Sequence, residues 1–114
     1  MGISAGIRPM RIEFHWFDGC PNHRVARRLL QQALEARALN DEIQEIDVGD
    51  PAVANRYRSP GSPTIRINGR DIEPGYQDPG EYAPRCRLYM TDAGLVGVPD
   101  RSWIEAALDH AAEV

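Results

Sequence analysis

The 114-residue sequence contains no lysine, so all 13 of its basic side chains are arginine. We read that bias as codon usage rather than as a set of guanidinium binding sites. Acidic residues outnumber the arginines, and the net charge of −4 supplies no basic field of the kind that dominates binding to a phosphate backbone. Nucleic acid is therefore not an expected partner. Long apolar runs are missing too: nothing reaches the length needed to span a bilayer, and residues 1–11 lack the apolar segment of a secretory signal. A cytoplasmic location without membrane attachment is expected. Gly2 opens a myristoylation pattern, but Gly6 stands where that pattern needs Ser or Thr. Cysteine is scarce, with only Cys20 and Cys86, far apart in the chain. In a reducing compartment such a pair is expected to be reactive, metal-binding or inert rather than a permanent staple.

What is present is ordinary globular composition, 42% hydrophobic and 26% charged, which argues against disorder and against a fibrous class. The length suffices for one domain with its own core. Residues 1–10 are expected to form a flexible N-terminal extension, with Met10 an alternative start, and 11–114 a single domain. Residues 11–17 alternate Ile12, Phe14 and Trp16 with Arg11, Glu13 and His15, the period-two pattern of a strand. After the Asp18-Gly19 turn, Pro21 suits the first position of a helix, and Val25, Leu29 and Ala33 with Ala26, Leu30 and Leu34 recur at helical spacing until Asn40. A second strand is expected over 42–48, its alternation imperfect. Asp50-Pro51 caps a short helix that runs through Tyr57 and ends at Ser59-Pro60-Gly61. Residues 64–67 read as a strand, and Asn68-Gly69 as the turn of a hairpin onto 70–72. An irregular loop follows over 73–85. A second hairpin is expected from 86–90 and 95–98, then a last helix with a Ser102/Glu105 capping box and an apolar stripe of Ile104, Ala107, Leu108 and Ala111.

The order βαβαββα, with Cys20 between the first strand and first helix and Ser62-Pro63-Thr64 entering the third strand, resembles the thioredoxin fold over nearly the whole chain. That fold is an α/β arrangement, a central mixed sheet of about four strands flanked by helices, here with the irregular loop and extra hairpin before the last helix. Gly19-Cys20-Pro21-Asn22-His23 stands where that family has its redox-active cysteine motif, and Gly61-Ser62-Pro63-Thr64 where it has a cis-proline. The chain is also similar to small bacterial thioredoxin-like proteins, some encoded beside mercury-resistance genes, that carry a Gly-Ser-Pro-Thr and a Cys-Arg-Leu-Tyr segment. The resemblance implies a cis peptide before Pro63, and backbone groups at Ser62 and Thr64 open to a substrate's extended chain, with Pro21 and Asn22 beside it.

One departure governs the chemistry. His23 occupies the place of a second cysteine, so no local disulfide can form. A thiol before a helix gains from unpaired backbone N–H groups and the positive end of the helix dipole, which favour the thiolate; Cys20 is then a nucleophile. An imidazole at His23 would pair with the thiolate or pass a proton to a leaving sulfur. Cys86 is the candidate resolving thiol, provided its α-carbon comes within about 7 Å of that of Cys20.

Three readings stay open. In the first the chain is a thiol–disulfide oxidoreductase, needing no cofactor, that acts on a protein or low-molecular-weight thiol or disulfide. In the second Cys20 and Cys86 hold a soft ion, Hg(II) or Cu(I); His15 and His110 have no metal-ligand spacing to either. In the third Cys20 is a small buried residue, His23 a solvated one, and the chain an interaction scaffold or homodimer using an exposed sheet edge. Phe14, Trp16, Tyr57 and Trp103 are expected in or at the core. Tyr76 and Tyr82 lie in the loop, where they would border a groove. Arg24, Arg27 and Arg28 are expected to form a solvated helix face, or else to attract an anionic thiol such as glutathione.

Overall fold

A computed structural model describes residues 9–113. The elements are β1 (Ile12–Trp16), α1 (His23–Ala36), β2 (Ile43–Asp47), α2 (Pro51–Arg56), β3 (Thr64–Ile67), β4 (Arg70–Asp71), β5 (Tyr89–Thr91), β6 (Gly94–Val96) and α3 (Arg101–Ala112). The protein is α/β. Its main sheet is mixed and four-stranded, ordered β2-β1-β3-β4, and β5-β6 form a separate ribbon. β1 runs parallel to β2 and antiparallel to β3, so Phe14 lies between Glu45 and Ile65. The N-terminal extension expected over 1–10 falls outside the described residues up to residue 8. Of the remainder, Met10 packs against the core and its N–H donates to Asp41.

Helices cover both faces of the sheet, which explains why β2 alternates poorly. Ile43 packs with the core that Phe14, Ile65, Leu30 and Leu108 form beneath α1 and α3, whereas Ile46 turns to a second cluster with Val48 and Ala54 of α2. The same two-sided cover buries His15, on the face of β1 that its sequence marks as polar. α1 begins at His23 rather than at Pro21, and its buried stripe is Ala26, Leu30, Ala33 and Leu34. Val25 is 51% exposed and lies outside that stripe.

The Asn68-Gly69 turn joins β3 to β4 with positive φ at both residues (53° and 82°), the requirement of a two-residue hairpin loop. Asp50 caps α2 as expected, accepting from the Ala52 N–H at 2.8 Å. The capping box expected at α3 is replaced. Asp100 is the N-cap and accepts from both the N–H and the hydroxyl of Ser102, a carboxylate being the stronger acceptor beside a helix N-terminus. Glu105 pairs instead with Arg101. The second hairpin is shorter than expected and leaves Cys86 outside it.

Candidate functional site

Cys20 follows β1 and precedes α1, its N–H turned back onto Phe17 O at 3.0 Å. The side chain is 1% exposed, and its Sγ donates to the carbonyl of Ser62 at 3.4 Å. The Ser62–Pro63 peptide bond is cis. Residues 85–87, at the end of the irregular loop, lie alongside Ser62 as a single parallel bridge centred on Cys86. The Ser62 N–H donates to Arg85 O and the Arg87 N–H to Ser62 O, each at 2.9 Å. One carbonyl thus accepts from Cys20 Sγ on one side and from the residue after Cys86 on the other. The two thiols, remote in sequence, become neighbours. Cys86 is exposed, and its thiol is pushed up by partial desolvation first and then by the charge and hydrogen bonding of Cys20.

Three devices hold this strap of residues 85–87. Gly61 adopts φ +135°, and a Cβ there would lie 2.8 Å from Arg85 O, so the strap approaches where only glycine leaves room. Arg87 is buried, its guanidinium bound to Asp71 and Glu73 and donating to Thr64 Oγ1 at 3.0 Å. Burial alone would weaken its charge; the two carboxylates overcome that and keep the cation. Tyr89, fully buried, donates its hydroxyl to the carbonyl of Pro63. With Arg87 and Tyr89 turned inward, the extended chain turns Cys86, Leu88 and Met90 outward.

Other residues singled out from the sequence stand differently. The backbone groups of Ser62, expected to be open to a substrate chain, are already paired with the strap. Thr64 is buried and donates to Gly61 O at 2.6 Å. Pro63 is buried as well, and Pro21 is exposed next to Cys20. The Asn22 amide fills the space over Gly97, where a Cβ would collide with it. His23 stacks on Trp16, 5.4 Å between centroids, and its Nδ1 faces Arg27 at 3.2 Å. Its polar partner is therefore Arg27 and not Cys20. Desolvation, then Arg27 and Arg24, lower its pKa, which favours the neutral ring, the form able to accept from the guanidinium.

Arg27 is not a free cation either: it lies over Phe14 and Trp16 and pairs with Glu45 at 2.8 Å. Tyr76 packs against Arg87, and Tyr82 bonds Asp78, so both loop tyrosines are tied into the loop itself. Phe14 is buried, and Trp16, Tyr57 and Trp103 are partly buried against the two cores.

Sequence reasoning missed a buried polar chain. His15 Nδ1 is 2.9 Å from Ser59 Oγ and its Nε2 is 3.3 Å from Glu13. His15 and Ser59 are both fully buried and Glu13 is partly exposed at its edge, so the serine and the imidazole are closed to any substrate and serve the fold. The signal was only a histidine among alternating strand residues. Its partner came from the end of α2, which no spacing rule connects to β1.

Among the described residues no group of three or more His, Cys, Asp or Glu is arranged to hold a metal ion, and no helix is long and apolar enough to cross a membrane. The two sulfurs by themselves offer at most a two-coordinate site. The sequence matches no protein-family model and no curated protein. The class defined by the fold is an α/β protein with a mixed four-stranded sheet flanked by helices.

Proposed function

We propose that this is a thioredoxin-like protein whose Cys20 and Cys86 act together as a thiol–disulfide redox pair. The fold reading draws on the β2-β1-β3-β4 order, on helices over both faces, and on a cysteine ahead of α1 beside a cis-proline. The function rests on one observation: a strap fixed by a glycine contact and a buried ion pair brings Cys86 next to Cys20 across the Ser62 backbone. The reaction exchanges two thiols for a disulfide. Cys20-SH and Cys86-SH give up two electrons and two protons to a disulfide RSSR, which leaves as two RSH. The pair replaces the local dithiol that His23 precludes, and it needs no organic cofactor. The substrate is a cytoplasmic disulfide, in a protein or a small molecule.

Turnover of a small disulfide with glutathione as reductant tests this reading. Cys20→Ser and Cys86→Ser are each expected to turn over a small disulfide well below the wild-type rate. Undiminished turnover in both variants would remove the redox pair.

A second reading uses the same geometry. Two sulfurs with no third ligand among the described residues suit linear two-coordinate Hg(II) or Cu(I). One equivalent bound only when both cysteines are present, with no disulfide exchange, would favour it.

A further inference from the structure

We propose that Cys86, and not Cys20, is the thiol that meets the substrate, and that Cys20 is the resolving thiol. This rests on the redox reading above and assigns the order of its steps.

Access separates the two sulfurs. Cys20 is 1% exposed and donates to the Ser62 carbonyl, whereas Cys86, beside it, is exposed. Exchange requires the attacking sulfur to approach along the S–S axis of the disulfide it cleaves. A disulfide can reach Cys20 directly only if the chain around it moves, and the neighbouring residues 85–87 are held by both Ser62 backbone hydrogen bonds and by the Arg87 guanidinium bound to Asp71 and Glu73. A disulfide reaching Cys86 needs no such movement. Slight desolvation and the neighbouring Cys20 disfavour the Cys86 thiolate, so access rather than acidity selects the entry point.

The steps balance. The Cys86 thiolate, its proton released to water, attacks one sulfur of RSSR, forming Cys86–S–S–R and expelling RS⁻, which takes up a proton. Cys20, likewise deprotonated, attacks the Cys86 sulfur, forming the Cys20–Cys86 disulfide and expelling the second RS⁻. Reduction runs in reverse, an external thiolate attacking the exposed Cys86 sulfur.

Single-cysteine variants challenged with oxidised glutathione and followed by intact mass test the order. Reduced Cys20→Ser is expected to gain one glutathione at Cys86, while Cys86→Ser reacts about tenfold more slowly or not at all. In reduced wild type, where no substitution disturbs the fold, a short pulse of N-ethylmaleimide is expected to label Cys86 ahead of Cys20. Faster modification of Cys20 in either experiment, or refusal of glutathione by Cys20→Ser, overturns the order. If wild type still forms the Cys20–Cys86 disulfide, the redox pair survives that result; if it forms none, both fall.

Discussion

Arg87 grips Asp71 through two parallel hydrogen bonds of 2.7 and 2.9 Å, with the two side chains 6% and 1% exposed. Glu73 at 2.9 Å and the Tyr89 ring at 4.3 Å complete the enclosure of the guanidinium. Asp71 belongs to β4 and Arg87 directly follows Cys86, so this pair ties the edge of the main sheet to the segment that presents the exposed thiol. A side-chain fork anchors the strap where only one bridge of sheet hydrogen bonding exists.

Removing one partner of such a pair leaves the other buried and uncompensated. Arg87→Met is expected to destabilise the fold by about 3–5 kcal/mol, read as a lower urea midpoint. It should also slow Cys20–Cys86 disulfide formation in protein that is still folded. Asp71→Asn, which retains part of the hydrogen bonding, should fall between this variant and wild type.

Gly61 permits the strap's approach from the other side. Gly61→Ala combines a φ of +135° with a Cβ 2.8 Å from a backbone oxygen, and is expected to cost about 1–3 kcal/mol and to loosen Cys86. Gly75 also has positive φ, but nothing lies within 4 Å of its Cβ position. Gly75→Ala should therefore show a smaller drop in melting temperature and leave disulfide formation unchanged.

The elements were legible in the sequence because their signals are local. Asn68-Gly69 marks its hairpin, Asp50-Pro51 its helix start, and Ile12, Phe14 and Trp16 their strand. The site was legible only in part. Cys20 stood out ahead of a helix, and Cys86 by being the only other thiol, but their exposure was not readable. Cys20 is buried beside a strap pinned by Arg87, and a buried arginine looks like any other arginine in a chain whose basic residues are all of that type. The spacing of His23 from Cys20 allows a pairing, and the sequence does not show that its ring packs on Trp16 and accepts from Arg27. The backbone groups of Ser62 read as open because nothing in the sequence indicates that residues 85–87 pair with them.

His15 makes stability depend on pH. Its pKa is lowered to about 4, by burial first and then by Arg66, against the opposing pull of Glu13 and Asp71. The unfolded chain binds a proton there near the ordinary value of about 6.5, so between those limits it holds more protons than the folded chain. Stability is then full above the unfolded pKa and declines as pH falls toward 4, by up to about 3 kcal/mol. Urea titrations at several pH values should show this slope, and His15→Gln should flatten it.

Oxidation of the fully reduced native protein with oxidised glutathione, followed by peptide mapping without reduction, tests the pairing of Cys20 with Cys86 most directly. The expected product is monomeric protein lighter by two hydrogen atoms, its Cys20 and Cys86 peptides joined to each other. Protein in which both thiols stay free, keep separate glutathione adducts or join only between molecules would contradict a redox pair built across Ser62.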